Sequence, residues 1–444
     1  MNKNRKAVPN ILILVAAGGA LALGGCVNSP GWETVAAPEG PAFSSVPNPT
    51  PSKQAAMSTF DPFNVALAGD NDASLYAQHG SASQRTSLHS SAGSQNYGAE
   101  AAHDILGDVL TQESSPSSAN PVQASGFNFS QISFSHEGAD FDPSVSPNGR
   151  KVVFASTQHG PTAELFVKDT QGRLITQLTD NEAHDVMPTI SPDGTRVAFA
   201  SNRRGNWDLF IMPINGGQAV QITTNSTHEL HPSWSPDGQF LVYSRLGEVS
   251  GRWEMWVTHV FNTGVTHYLG DGLFPEWAPI AGTGDQGGDQ ILFQRSSQRG
   301  DRAFSVWTVD YADGQSSNAT EIVGSELAAC INPTWSPNAQ WIAFAVVPNP
   351  EQWAEMTKTR PAASNLWMIN RSGSGLVNLT SNDAVNLMPT WASDNTIYFV
   401  SDRDGLDNIW SLAASKAIYA ATGEMPGGET GTAITTVPET GDGG

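Results

Sequence analysis

Three carboxylates recur in this chain at a spacing that could bring them together. Asp140, Asp185 and Glu229 each stand three residues ahead of a proline (Pro143, Pro188, Pro232) and lie 45 and 44 residues apart. Asp142, His184, His228 and His231 accompany them. Carboxylates that converge on one funnel can hold a hard cation such as Ca²⁺ through oxygen ligands, or pair with the basic end of a peptide. The same side chains can instead cap turns through their own backbone, and both readings stay open here. A second set carries the opposite charge. Ten of the 22 Lys and Arg residues fall where apolar strands give way to loops: Arg203, Arg204, Arg245, Arg252, Arg295, Arg299, Arg302, Lys358, Arg360 and Arg403. Arg203 and Arg403 stand in a Ser-x-Arg-x-Gly run that favours pairing within the turn. The other eight, with Trp353 and Met356 of a nearby insert, are candidates to touch a partner.

Signatures of catalysis are missing from the sequence. It has no Gly-x-Ser-x-Gly nucleophile elbow and no Walker loop. His228-Glu229-Leu230-His231 has its histidines three apart and precedes a strand, so it does not fit a zinc-protease helix. Ser-Pro-Asp-Gly lacks the extra residue of the sialidase Asp box. With 43 Asp and Glu and a net charge of -21, the molecule repels phosphate, which excludes sequence-independent nucleic-acid binding. Two cysteines, Cys26 and Cys330, exclude a disulfide framework and a four-thiolate zinc site. The expectation is a non-catalytic binding protein without a cofactor, with Asp140, Asp185 and Glu229 as the metal candidates for Ca²⁺. A hydrolase or carbohydrate-binding protein using the same acidic groups is the alternative, and a purely structural scaffold is the third reading.

The elements that position these residues repeat along the chain. Six anchor prolines, Pro143, Pro188, Pro232, Pro275, Pro333 and Pro389, are separated by 45, 44, 43, 58 and 56 residues. Two residues after each comes an apolar side chain: Val145, Ile190, Trp234, Trp277, Trp335 and Trp391. A turn follows, as in Ser191-Pro192-Asp193-Gly194, and then an apolar strand with the expected alternation, as in residues 196–201. A third strand carries a large aromatic (Phe166, Phe210, Trp256, Trp307, Trp367, Trp410), and a fourth ends in Gln-Leu-Thr or a close variant. That period suits six four-stranded propeller blades, an all-β fold. Residues 127–134 are expected to close the ring as the outer strand of the last blade, with residues 416–421 as the competitor. In such a ring the loops entering strand one and those joining strands two and three open on one side. The arginines would then form a basic rim around an acidic centre.

The Pro-x-Trp-Ser-Pro-Asp-Gly copies and the Ser-x-Arg-x-Gly-x-x-Asp run (Ser201, Arg203, Gly205, Asp208) resemble the repeat of TolB-type β-propellers over residues 127–413. The resemblance implies the six-bladed fold. It does not extend to the partners of the family's soluble periplasmic namesake, which carries a folded α/β domain where this sequence has a low-complexity stretch.

Residues 1–26 begin with Lys3, Arg5 and Lys6, run apolar through residues 11–23 and end in Leu23-Gly24-Gly25-Cys26, similar to a bacterial lipobox. This implies cleavage before Cys26, lipidation of its thiol and membrane attachment. Val27, in place of Asp, points to the outer membrane, facing the periplasm. Residues 27–126 read as a flexible stalk, with a short helix at 100–113. Residues 414–444 read as a mostly disordered tail. The expected partner of this monomer is an envelope protein or peptide segment.

Overall fold

Each anchor proline falls inside an innermost strand and interrupts it. Proline has no N–H to give to the ladder, so the strand bulges there and one extra residue is turned out. The computed structural model describes residues 122–123, 127–296, 304–348, 361–381 and 384–423. Six sheets carry the bulge at the same place, with the register shifting at Phe141/Ser144, Val186/Thr189, Leu230/Ser233, Leu273/Glu276, Ile331/Thr334 and Leu387/Thr390. The residue before each anchor takes up a left-handed conformation: Asp142, Met187, His231, Phe274, Asn332 and Met388 have φ of 51, 53, 54, 50, 50 and 52°.

Two short strands, β1 (Val122–Gln123) and β2 (Phe129–Gln131), precede the blades. Blade one comprises β3 (Asp140–Val145), β4 (Lys151–Ser156), β5 (Glu164–Asp169) and β6 (Ile175–Gln177). Blade two holds β7 (Asp185–Ile190), β8 (Arg196–Ser201), β9 (Asp208–Pro213) and β10 (Val220–Gln221). Blade three holds β11 (Glu229–Trp234), β12 (Phe240–Leu246), β13 (Trp253–His259) and β14 (Asn262–Asp271). The fourth is β15 (Leu273–Trp277), β16 (Asp289–Ser296), β17 (Phe304–Ala312) and β18 (Gln315–Val323). The fifth is β19 (Ala328–Trp335), β20 (Trp341–Pro348), β21 (Asn365–Asn370) and β22 (Val377–Asn378). The sixth is β23 (Asn386–Trp391), β24 (Thr396–Ser401) and β25 (Asn408–Ala413).

The expected closure is present: β2 runs antiparallel to β25, with Phe129 opposite Leu412 and Gln131 opposite Trp410. Residues 416–421 lie in a helix, α1 (Ser415–Thr422), which buries Ala417 and Ile418. One strand was not anticipated. β1 adds to the outer edge of blade five, parallel to β22.

Second strands are buried nearly throughout instead of alternating. In β8, Val197 through Ser201 are all buried, because each sheet is covered on both faces by neighbouring blades. The expected turn chemistry holds in blades one, two, three and five. The hydroxyl of Ser191 donates to Asp193 at 2.5 Å and accepts from the Arg196 amide at 2.9 Å, and Ser235 repeats this with Asp237 and Phe240. Side chains one residue past the anchor then tie blade to blade. Ser144, Ser233 and Glu276 accept from the amides of Ile190, Trp277 and Trp335 at 3.1, 3.0 and 3.1 Å. The intervening tryptophans are buried wedges, and the Trp234 indole donates to the Thr189 carbonyl of the preceding blade at 3.1 Å.

Cys26, the 100–113 helix and most of the stalk lie outside the described residues. So do Arg299, Arg302, Trp353, Met356, Lys358, Arg360 and the tail beyond Gly423.

Candidate functional site

The three recurring carboxylates do not face a funnel. Asp140, Asp185 and Glu229 each start an inner strand and are fully buried there. Their side chains are turned toward the second strand because the bulge reverses the facing between positions 140 and 142 and their equivalents. Asp185 takes the Arg203 guanidinium on both oxygens at 2.8 Å and the Asn181 amide at 2.7 Å. Blade six repeats the clamp with a neutral group, Asn386 Oδ1 accepting from Arg403 and Ser401, both at 2.9 Å. Glu229 is held by Asn225 on one oxygen, and its other oxygen has no hydrogen-bond partner among the described residues; burial pushes its pKa up to about 7. Among the described residues neither oxygen of Asp140 is within hydrogen-bonding geometry of a donor, and burial raises its pKa against the opposing influence of the nearby Ser156 and Ser133 hydroxyls. His184 and His228 brace loops instead of facing a ligand. Their Nδ1 atoms accept the amides of Ala163 and Trp207 at 3.0 and 3.3 Å, and burial lowers both pKa values. Among the described residues no three His, Cys, Asp or Glu side chains gather as a metal cage requires.

Several arginines expected at the rim are spent inside their own blades. Arg203 lies over Phe210 with its Cζ 4.7 Å from the ring centre, Arg245 over Trp256 at 3.5 Å, Arg295 over Trp307 at 5.5 Å and Arg403 over Trp410 at 4.9 Å. The third-strand aromatic is thus the platform on which that arginine rests. Arg245 and Arg295, expected to meet a partner, are instead held by this stacking, and Arg245 also approaches Glu254 at 3.8 Å. Exposed Arg252 pairs with Asp271 at 3.2 Å, and Arg204 is exposed beside Asp208.

The cavity lies elsewhere. A space of about 680 Å³ follows the ring axis, lined by each inner strand from the left-handed residue down to the turn after it. Pro147, Pro192, Pro236, Pro279, Pro337 and Ser393, each in the turn after an inner strand, line its end on the face opposite the arginine loops. Prolines and tryptophans make up nearly half of the wall, and Ser, Thr and Asn side chains much of the rest. Among the described residues no Lys or Arg lines it, and its titratable side chains are Asp142, His231 and Glu276.

Asp142 Oδ2 accepts the Met187 amide at 3.0 Å, and Glu276 Oε1 accepts the Trp335 amide at 3.1 Å and the Thr334 hydroxyl at 3.2 Å. Burial pushes both carboxyl pKa values up to about 7. His231 is 6% exposed, rests on Phe274 with ring centres 3.7 Å apart, and has no hydrogen-bond partner at either nitrogen. Burial lowers its pKa to about 3, so the ring is neutral at any ordinary pH. Of the expected funnel set, the bulge brings only Asp142 and His231 to the cavity. Glu276 was missed, although the column of residues after the six anchors reads Ser144, Thr189, Ser233, Glu276, Thr334, Thr390, with one charged member.

Residues 129–304 match the family model described as the TolB beta propeller domain. No curated protein matches the chain. Among solved structures, one assigned to TolB of Agrobacterium tumefaciens is 19% identical, with a TM-score of 0.46 over 62% of this chain and 90% of its own. TolB from Acinetobacter baumannii is 17% identical, with a TM-score of 0.44 over 57% of each chain. An oligogalacturonate lyase from Vibrio parahaemolyticus is 15% identical, with a TM-score of 0.44 over 65% of this chain and 97% of its own.

Proposed function

We propose that this chain, which carries a TolB-type six-bladed propeller, is a non-catalytic binding module of the cell envelope whose axial cavity receives a segment of another protein. The supporting observation is the cavity itself: a preformed space of about 680 Å³ whose rigid prolines and tryptophans alternate with hydroxyl, amide and carboxyl side chains. The docking face is the turn face around Ser393, in place of the arginine rim. The lipobox-like run ending at Cys26 would tether the ring to the outer membrane, facing the periplasm. A photoreactive residue at Ser393, tested in cells, should form an adduct with a partner. Thr390→Trp, which fills the cavity from blade six, should abolish that adduct without lowering the unfolding temperature. An adduct that survives the filled cavity overturns the reading. In the same cells Cys26→Ser should move the protein from the membrane to the soluble fraction; unchanged fractionation refutes the tether.

A further inference from the structure

We infer that the chain's own residues 430–438 occupy the axial cavity and, resting on the docking reading, that they do so in competition with the partner segment. The end of the cavity and the exit of the chain lie on one face. Ser393 lines that end, in the turn between β23 and β24, and the Ala414 amide donates to the Asn395 carbonyl of the same turn at 2.8 Å. α1 starts there. It crosses to blade five, where a Cβ on Gly375, in the turn joining β21 to β22, would lie 3.5 Å from Ala421. Both turns belong to the face on which the cavity ends, so the chain stays on that face as far as Gly423.

The reach is short enough for a return. α1 is capped at Gly423, whose φ is 75° and whose amide donates to the Tyr419 carbonyl at 2.7 Å, so the chain stops advancing along the helix at that point. From Ala414 to Gly423 the helix carries it only about 14 Å. The steps from Gly423 to Thr430 can span about 24 Å, and Pro426-Gly427-Gly428 among them favour a turn. Thr430 can therefore come back to the turn that holds Ser393.

Charge selects the stretch. Residues 430–438, Thr-Gly-Thr-Ala-Ile-Thr-Thr-Val-Pro, carry no charge and stand between Glu429 and Glu439. Among the described residues the cavity has no Lys or Arg to attract a carboxylate, and its own Asp142 and Glu276 oppose one. It suits the uncharged run and leaves both flanking glutamates outside. The surfaces also correspond. Ile434 and Val437 are matched by Met187, Phe274 and Met388, and the threonine hydroxyls by a wall that carries Ser144, Thr189 and Thr390.

A segment tethered this closely is presented at an effective concentration in the millimolar range. Even a weak internal contact then lowers the partner's apparent affinity, by the fraction of cavities left open.

The test uses the full chain with the photoreactive residue at Ser393. In the purified protein, illumination should give an adduct within one chain, mapped by mass spectrometry to residues 430–438 and formed to the same extent on dilution. Ile434→Asp with Val437→Asp puts two charges into that run and should cut this adduct at least tenfold with an unchanged unfolding temperature. Thr390→Trp should cut it equally. In cells the Ile434→Asp, Val437→Asp chain should form at least threefold more partner adduct than the unaltered one. An internal adduct mapped only to other residues, an adduct that joins two chains, or one that survives the double variant overturns the inference. A partner adduct unchanged by the double variant overturns the competition. If the internal adduct forms and neither chain gives a partner adduct in cells, the tail assignment stands and the docking reading fails. If the partner adduct forms and the purified chain gives none to residues 430–438, the tail assignment fails and the docking reading stands.

Discussion

In the second blade a buried carboxylate is answered by a guanidinium; in the third, at the equivalent position, it is not. Asp185 and Glu229 both open an inner strand three residues before an anchor proline, and both are fully buried. Asp185 lies opposite Ser201, and the arginine two residues on, Arg203, folds back to grip it on both oxygens. Glu229 lies opposite Arg245 itself, and that side chain leans away onto Trp256 and toward Glu254. An arginine displaced by two positions therefore decides whether the carboxylate is clamped or left to take up a proton. Blade one shows the same outcome by a different route, since Gln158 stands where blade two has Arg203 and no guanidinium reaches Asp140 among the described residues.

The comparison is broken most forcefully at Arg203. Arg203→Ala leaves Asp185 buried without its countercharge and should cost about 3 kcal/mol, a value at the lower end for a pair whose arginine is partly exposed. Urea unfolding at pH 7 measures it, and Arg203→Ala combined with Asp185→Asn should recover much of the loss.

The next effect is a pH dependence. Folding raises the Glu229 pKa from 4.5 to about 7, so the folded protein holds a proton that the unfolded chain releases. The stability this group confers is full below pH 4.5, falls as the pH rises toward 7 and then levels off. Across that window the change is on the order of 3 kcal/mol at most. Glu229→Gln should therefore reduce the difference between unfolding free energies measured at pH 5 and pH 8. Part of the slope should persist, because Asp142 and Glu276 are displaced in the same direction.

The smallest effect sharpens the comparison by transplanting the clamp. Gln158→Arg gives blade one the missing guanidinium, with Phe166 in the place that Phe210 occupies under Arg203, and should add about 1 kcal/mol at pH 7. The gain should vanish when Asp140→Asn is added, as read from the urea midpoint.

The repeat made much of the ring legible because it has its own residues at its own period. The prolines mark the inner strands, the Ser-Pro-Asp-Gly runs mark the turns, and Gln131-Ile132-Ser133 reads as a fourth strand displaced to the front of the chain. The facing of the inner strand was not legible from spacing alone. A one-residue bulge exchanges the side chains that meet the axis for those that meet the neighbouring strand, so Asp142 and His231 reach the cavity while Asp140 and Glu229 turn away from it. The signal was present in the anchor prolines, since a proline inside a strand is itself a reason to expect a bulge. β1 could not be read, because two residues of pairing leave no periodicity. The spending of Arg245 and Arg295 on Trp256 and Trp307 follows from an aromatic on each third strand.

The order in which the chain joins the ring has a mechanical consequence. Tension transmitted through the residues ahead of Val122 reaches β1 first, and two residues of parallel pairing on blade five are a weak fastening that yields before anything else moves. Only then does the load pass to β2, which is pinned beside blade six by its ladder to β25 and by Arg403 over Phe129 at 3.8 Å. The entry to the propeller is thus a two-step latch, a breakable outer catch protecting the strand whose release would open the circle.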